Sequence, residues 1–293
     1  MTTNTAKSFH DKWHQNADLV FAETLRNGSD IYTWILSRNG WIDAEALVSF
    51  LASKKRVLDA GCGNGRVSAL LRMHSDPGAT CIMGIDLTAA DVAEKNLAQY
   101  ANVSFQTKDL LGDLSDLGVF DFIYCQEVLH HTEDPQNAFL NLCSCLEDGG
   151  AIAIYVYKQK APVREFVDDY IRKNIADLPY ASAMEACREM TEFGRALAEL
   201  KTTVSIPEVK VLEIPAGEYD VQRLFYHFFC KCFWNPEIDF EQNAVINYDW
   251  YHPQLCSRHT LDEVLMWFAS AQLHVTHQHV DHYGITVHGK KGK

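Results

Sequence analysis

The chain has 293 residues, of which 47% are hydrophobic and 22% charged, an ordinary globular composition. Its formal net charge of −13 argues against nucleic acid as the partner, because a phosphate backbone calls for clustered lysines and arginines. No apolar run approaches the roughly 20 residues of a membrane span, and residues 1–20 lack the apolar core of a secretory signal. We therefore expect a cytoplasmic protein with no membrane span.

Residues 1–55 look helical, and five short apolar runs then alternate with helical segments. The runs are Arg56–Ala60, Thr80–Asp86, Val103–Thr107, Phe120–Cys125 and Ala151–Tyr157. Strands and helices that alternate at this rhythm predict a parallel sheet covered by helices on both faces.

Polar residues at the ends of the helical segments predict where helices begin and end. Thr88–Asp91 resembles a capping box, and Asp134 followed by Pro135 predicts an N-cap with proline in the first turn. Gly149-Gly150 is expected to end that helix. Thr260–Glu263 predicts a further capping box.

The end of the chain returns to the strand pattern after a long interruption. His274–His279 and Gly284–His288 are predicted to be the last two strands of the same sheet. Residues 158–259 differ in character: two helical stretches, Val163–Ile175 and Ser182–Leu200, precede an aromatic-rich segment from Tyr219 to Tyr251. We interpret them as an insertion in the sheet domain.

The nine cysteines do not form a recognisable metal or redox motif. No two have the C-x-x-C spacing, so we expect buried, reduced thiols and no metal. A metal site built from Cys230, Cys232, Cys256 and His259 remains an open alternative.

A glycine-rich loop follows the first strand, with the spacing Gly61-x-Gly63-x-Gly65 and an acid, Asp59, two residues ahead. Such glycines let a ligand approach backbone N–H groups at a helix N-terminus. Dinucleotide-binding loops use the spacing G-x-G-x-x-G, and a carboxylate here would face their pyrophosphate unfavourably. Asp59 suits a cofactor that carries a positive charge.

The stretch Asp59–Gly65 resembles the D-x-G-x-G-x-G motif of class I S-adenosylmethionine-dependent methyltransferases. Asp86, Asp109-Leu110, Phe120–His131 and Leu146–Gly150 also match family segments in order. The resemblance covers about Arg56–Tyr157 and, more loosely, Thr260–His288. Asp249–Phe268 is similar to a segment of small-molecule methyltransferases of bacterial biosynthetic type.

The resemblance implies an α/β, Rossmann-like fold. Its seven-stranded sheet would have the order 3-2-1-4-5-7-6, with strand 7 antiparallel and a helical, aromatic-rich insertion after strand 5. The expected domains are an N-terminal helical segment over the cofactor site (1–55), the methyltransferase core (56–157 and 260–293) and an inserted substrate-binding cap (158–259).

The resemblance also implies S-adenosyl-L-methionine as the cofactor and S-adenosyl-L-homocysteine as its product. Asp86 would hold the ribose hydroxyls, Asp109 the adenine, and Asp59 would help to hold the ammonium group. The residues expected to bind the cofactor are Asp59, Ala60, Gly61, Cys62, Gly63, Asp86, Leu87, Asp109, Leu110 and Gln126.

Methyl transfer from a sulfonium is an in-line displacement, so the protein has to align a nucleophile and exclude water. A general base assists a hydroxyl or amine nucleophile, and histidine is the usual candidate. His130 and His131 would lie beside the methyl group, and His227 is a third candidate. The alternative is that the histidine pair is structural.

A small organic molecule, such as a natural-product or cell-envelope sugar intermediate, is the expected substrate. The apolar face of Phe225, Phe228, Phe229 and Cys232 is expected to be core. The candidate substrate-binding residues are Tyr155, Tyr157, Arg164, Tyr226, Tyr251, His252 and Arg258.

Other classes of protein remain as alternatives to a small-molecule methyltransferase, whether monomer or homodimer. They are a catalytically silent, cofactor-binding partner subunit, a protein or RNA methyltransferase, and a nicotinamide enzyme. The intact loop, with Asp59 and Asp86, argues against the silent subunit.

Overall fold

The computed structural model of the chain describes residues 4–292. It divides into two compact units. One contains the chain up to Lys12 together with Gln159–Cys256, and the other contains Trp13–Lys158 and the chain from Ser257 onward. The predicted insertion, 158–259, thus corresponds closely to Gln159–Cys256, whereas the predicted N-terminal segment, 1–55, is shared between the units. The roles assigned to these parts stay predictions.

Strands and helices alternate along much of the chain. The strands within residues 4–292 are β1 (Arg56–Ala60), β2 (Cys81–Asp86), β3 (Val103–Thr107), β4 (Phe120–Gln126), β5 (Leu146–Tyr157), β6 (Thr203–Ile206), β7 (Gly217–Asp220), β8 (His274–Val280) and β9 (Gly284–Lys290). The α-helices are α1 (Asn4–Gln15), α2 (Phe21–Leu25), α3 (Asp30–Arg38), α4 (Ala44–Leu51), α5 (Arg66–Met73), α6 (Ala90–Asn96), α7 (Pro135–Ser144), α8 (Pro162–Ile175), α9 (Tyr180–Glu199), α10 (Val221–Phe228), α11 (Phe240–Tyr251) and α12 (Leu261–Ser270).

The sheet has seven strands in the order β3-β2-β1-β4-β5-β9-β8. The first five strands of the chain pair in parallel, and β9 is antiparallel to both β5 and β8. Since β8 and β9 are the sixth and seventh strands of this sheet, the predicted order 3-2-1-4-5-7-6 and the antiparallel strand 7 are confirmed. The carboxyl ends of the parallel strands meet at one edge, where sheets of this kind bind ligands.

Helices cover both faces of the sheet, as predicted. On one face, Leu58 and Ile123 belong to a core that includes α7 and α12, with Phe268 among its fully buried side chains. On the other face, Phe122 and Tyr124 pack with α3, α4 and α5. Successive strand residues point to opposite faces, which explains why the strands read as continuous apolar runs.

The structure confirms two predicted helix starts and corrects a third. Asp134 caps α7, and Thr260 forms a capping box with Glu263. The capping box predicted at Thr88–Asp91 is wrong, because α6 begins at Ala90 and its N-cap, Ala89, has no side chain that can cap. Asp86 orders the turn before α6: its carboxylate accepts hydrogen bonds from the N–H groups of Thr88 and Ala89.

Gly149-Gly150 does not end α7, which stops at Ser144; both glycines lie within β5. A Cβ on Gly150 would lie 3.0 Å from the Phe120 carbonyl oxygen and 2.9 Å from that of Glu147. The glycine therefore allows a close backbone approach where the β4–β5 register shifts.

The other unit is mainly helical, with α8, α9, α10 and α11 and the antiparallel pair β6–β7, which the sequence did not predict. Among residues 4–292, no helix is both long and apolar enough to cross a membrane.

Candidate cofactor and active site

The glycine loop connects β1 to α5, and its backbone conformation requires glycine. Gly61, Gly63 and Gly65 have φ angles of +82°, +53° and +84°. A Cβ on Gly61 would lie 2.2 Å from a methyl group of Val128, and one on Gly63 would lie 2.7 Å from the ring of Trp13. Side chains at these positions would meet both backbone strain and a steric clash.

The amide N–H groups of the loop are already hydrogen-bonded to acceptors. Those of Gly61 and Cys62 donate to the Ile85 carbonyl oxygen, at 2.7 and 3.0 Å. The Gly63 N–H donates to Asp86 Oδ2 at 3.0 Å. A pyrophosphate cradle needs such groups directed at its phosphates, so this loop fits a cofactor without phosphate better than a dinucleotide.

Asp59 lies at the end of β1 with its carboxylate buried. Its Oδ2 accepts a hydrogen bond from the Ser68 hydroxyl of α5 at 2.6 Å. Burial raises the pKa of Asp59 to about 6, and the Ser68 hydrogen bond opposes this rise. An ammonium group nearby would favour the charged form, so the predicted contact with the cofactor is chemically consistent.

Asp86 ends β2, and the surrounding backbone fixes its carboxylate. Besides the Gly63 bond to Oδ2, its Oδ1 accepts from the N–H groups of Thr88 and Ala89, at 2.8 and 3.0 Å. The residue is partly exposed. The Thr88 hydroxyl also donates to Oδ1, at 3.2 Å. Each carboxylate oxygen has about two lone-pair sites, so Oδ2, which accepts from Gly63, keeps an oriented site for a hydroxyl of a ribose.

The other predicted cofactor residues lie around the same edge of the sheet. Asp109, after β3, is exposed and accepts a hydrogen bond from the Leu111 N–H at 2.9 Å, whereas Leu110 is buried. Leu87 is exposed, and Ala60 and Cys62 are buried. Burial raises the pKa of the Cys62 thiol far above its ordinary value, so this thiol stays protonated.

Gln126 is the last residue of β4 and is half-buried. The Tyr124 hydroxyl donates a hydrogen bond to its side-chain oxygen. The next residue, Glu127, has a φ of +61°, and its carboxylate lies 3.8 Å from Arg66 Nη2. Non-glycine residues with such backbone strain cluster at functional sites. Sequence reasoning did not single out Glu127, because no motif position reveals a backbone angle.

The structure brings His130 and His131 together with Tyr157, at the carboxyl end of β5. The ring of His130 is buried and stacks on Tyr157 with 3.6 Å between centroids. Its Nδ1 accepts a hydrogen bond from the Tyr157 N–H at 3.3 Å, so this nitrogen carries no proton. This bond supports the structural alternative for His130. The ring of His131 meets that of Tyr157 edge-on at 5.6 Å.

Two predicted substrate residues of the inserted unit, Arg164 and Tyr251, donate hydrogen bonds to an acid that sequence reasoning missed. Asp168 accepts hydrogen bonds from Arg164 Nε (3.1 Å), Tyr251 Oη (2.9 Å) and Trp250 Nε1 (2.8 Å). The Arg164 guanidinium also lies 4.6 Å from the ring centre of Tyr226. The i,i+4 spacing of Arg164 and Asp168 on α8 was the available sequence signal.

The remaining predicted catalytic and substrate-binding residues are His252, Tyr155, His227 and Arg258. Both ring nitrogens of His252 are hydrogen-bonded, Nδ1 to the Ser8 hydroxyl and Nε2 to the Leu178 carbonyl oxygen. Tyr155 is buried, and the Arg38 guanidinium lies 4.5 Å from the centre of the Tyr155 ring. His227 and Arg258 are half-buried.

The expected core face of α10 is only partly right. Phe228 and Cys232 are buried, but Phe225 and Phe229 are half-buried and Tyr226 is buried. The helix ends at Phe228, so helical spacing does not extend to Cys232. In the part of the chain that the structure describes, no group of three or more histidine, cysteine or acidic residues could hold a metal ion.

The curated proteins that match part of this chain include the following two. An uncharacterised protein of Synechococcus sp. is 39% identical over 120 residues, 38% of this chain and 28% of its own length. The ubiquinone biosynthesis O-methyltransferase of Coxiella burnetii is 34% identical over 101 residues, 33% of this chain and 42% of its own length. The matches span less than half of either relative.

Solved structures show a looser likeness. The N-methyltransferase NodS of Bradyrhizobium japonicum, in complex with S-adenosylhomocysteine, is 14% identical with a TM-score of 0.47, covering 99% of this chain and all of that one. An O-methyltransferase family protein of Burkholderia thailandensis is also 14% identical with a TM-score of 0.47, covering 97% of this chain and 69% of that one.

A family model described as a methyltransferase domain matches residues 38–200. This match covers more than half of the 293 residues and includes the glycine loop, Asp86, Asp109 and the histidine pair. The chain therefore belongs to the methyltransferase-domain family of class I S-adenosylmethionine-dependent methyltransferases.

Proposed function

We propose that this chain transfers a methyl group from S-adenosylmethionine to a small organic molecule. The supporting observation is the arrangement of Asp86 beside the glycine loop, where its carboxylate accepts from the N–H groups of Gly63, Thr88 and Ala89. When bound, the cofactor supplies an electrophilic methyl group on a sulfonium.

In this proposal the residues of the chain bind and orient. Asp86 accepts from the ribose hydroxyls, Asp109 and Leu110 border the adenine, and the glycines leave space for the methionine end. Asp59, ionised when an ammonium group is near, provides the negative charge below the loop.

His131 is the proposed general base, because Nδ1 of its neighbour His130 is bonded to the backbone of β5. It would accept the proton of the attacking group as the methyl is transferred. The name of the Coxiella relative favours a hydroxyl as that group.

Two properties favour a small organic substrate over a macromolecule. The charge of −13 disfavours a nucleic acid. Aromatic residues are concentrated between Tyr219 and Tyr251 in the unit that we propose to bind the substrate. Aromatic side chains commonly line the pockets of small molecules.

The role of Asp86 can be tested by calorimetry with S-adenosylhomocysteine. Asp86→Ala should weaken binding by at least about tenfold, because it removes a charged hydrogen-bond acceptor. Asp91→Ala is the control, since Asp91 is an exposed carboxylate in the first turn of α6. Wild-type affinity in Asp86→Ala would rule out the assigned cofactor site.

The substrate class can be tested with a donor carrying a labelled methyl group, incubated with fractions of a cell extract. We expect the label in the small-molecule fraction, and less of it with His131→Ala. Label in protein or RNA would support the macromolecular alternative. Cofactor binding without label in any fraction would support a silent partner subunit.

A further inference from the structure

A buried chain of hydrogen bonds reaches Gln126 from the N-terminal part of the sheet unit. The Asn39 side chain, just after α3, lies 2.8 Å from His288 Nε2 of β9 and 3.1 Å from the Tyr124 hydroxyl of β4. Tyr124 in turn contacts the side-chain oxygen of Gln126. Asn39 belongs to no motif considered above, and Tyr124 lies in the family-like segment Phe120–His131 without a role assigned to it.

One backbone carbonyl oxygen determines which group donates and which accepts in each of these hydrogen bonds. Asn39 Nδ2 lies 2.7 Å from the Ile35 carbonyl oxygen, which can only accept. The group at this position is therefore the NH₂ end of the amide, and the oxygen end accepts from His288. The second hydrogen of Nδ2 points to Tyr124, whose hydroxyl hydrogen is then free to be donated to Gln126.

Burial makes this direction costly to reverse. Tyr124, Asn39 and His288 are 2%, 5% and 7% exposed, and a buried polar group without a partner costs about 1–3 kcal/mol. Burial, together with the neighbouring His277, lowers the pKa of His288 to about 3, so the ring stays neutral. Trp41 packs against both Tyr124 and His288.

The register places Gln126 beside the glycine loop. Asp59 of β1 pairs with Tyr124 of β4, and Gln126 lies two residues further along the same face. With its oxygen held by Tyr124, the half-buried side chain of Gln126 has its NH₂ group left to offer a ligand.

We propose that Asn39 and Tyr124 are positioning residues that present the amide NH₂ of Gln126 to an acceptor atom of the bound S-adenosyl cofactor. This inference rests on the proposed function. It assigns a ligand-facing donor to Gln126 and gives Asn39 and Tyr124 a part in cofactor affinity that acts through Gln126.

The first test replaces the donor by an acceptor of the same shape. Gln126→Glu keeps an oxygen for Tyr124 but presents a carboxylate oxygen in place of NH₂. We expect it to weaken S-adenosylhomocysteine binding by about tenfold or more in calorimetry, because a donor is replaced by a charged acceptor. Gln278→Glu, on the exposed side of β8, is the matched control. Unchanged affinity in Gln126→Glu would overturn the assigned donor.

The second test is a double-mutant cycle. Tyr124→Phe should weaken binding several-fold in the wild-type background and have no further effect in a Gln126→Met background, because it acts through Gln126. Equal losses in both backgrounds would show a general structural role and overturn the positioning role. If Tyr124→Phe does not fold, Asn39→Ser replaces it in the same cycle.

Asp86→Ala separates this inference from the proposed function. Loss of binding in Asp86→Ala with normal binding in Gln126→Glu contradicts the inference alone. Wild-type binding in Asp86→Ala, or no binding by the wild type, contradicts the proposed function.

Discussion

At the scale of single residues, the surroundings of Asp59 affect its carboxylate in two opposite ways. Its position below the glycine loop suits a cationic cofactor, yet burial disfavours the carboxylate when no cation is present. The Ser68 hydroxyl offsets part of this cost. The sequence could place Asp59 at the loop, but it could not show the burial or the Ser68 partner, which depend on how α5 packs on β1.

This burial predicts a pH dependence of the stability of the cofactor-free protein. The folded-state pKa of Asp59 is about 6, above the value of roughly 3.9 for an unfolded chain. The folded state therefore binds more protons between these values, and stability falls as pH rises through this window. Two pKa units correspond to about 3 kcal/mol.

Asp59→Asn removes the titrating group and should be more stable than the wild type above pH 7, with the difference disappearing towards pH 4. Thermal unfolding of both proteins without cofactor, measured from pH 4 to 8, provides the comparison. If the stabilities of the two proteins changed with pH in the same way, the raised pKa of buried Asp59 would be contradicted.

At the scale of elements, capping residues in the sequence predicted the starts of helices better than they predicted the contacts between helices. Asp134 and Thr260 cap helices as their sequences indicate. Thr88 does not, because α6 begins two residues later and the Thr88 hydroxyl donates to the Asp86 carboxylate. The Arg164–Asp168 pair joins α8 to α11 through Trp250 and Tyr251, which are more than 80 residues away in sequence. Such distant partners leave no local pattern.

The Asp168 network predicts a large difference between two adjacent acids. Asp168→Asn leaves the buried Arg164 without its counter-charge and should destabilise the protein by about 3 kcal/mol or more. The Asp169 carboxylate is 47% exposed and forms a salt bridge to Arg172. Asp169→Asn removes this salt bridge and should lower the free energy of unfolding by less than about 1 kcal/mol. Urea unfolding of the two variants and the wild type measures the loss in free energy of unfolding. Similar losses would contradict the central role of Asp168.

At the scale of the whole molecule, the resemblance around the glycine loop predicted the strand order correctly, including antiparallel strand 7. A parallel sheet of this kind follows from the alternation of strands and helices. The pair β6–β7 and the grouping of the first residues with the inserted unit were not predictable, because they depend on long-range contacts. The substrate is likewise not encoded in any motif of the loop.

The most direct test of the central claim is a calorimetric titration of the whole chain with S-adenosylhomocysteine and, separately, with NAD⁺. Because the loop amides are bonded to Ile85 and Asp86, we predict saturable binding of one S-adenosylhomocysteine and no binding of NAD⁺. Binding of NAD⁺, or a folded chain that does not bind S-adenosylhomocysteine, would contradict the account.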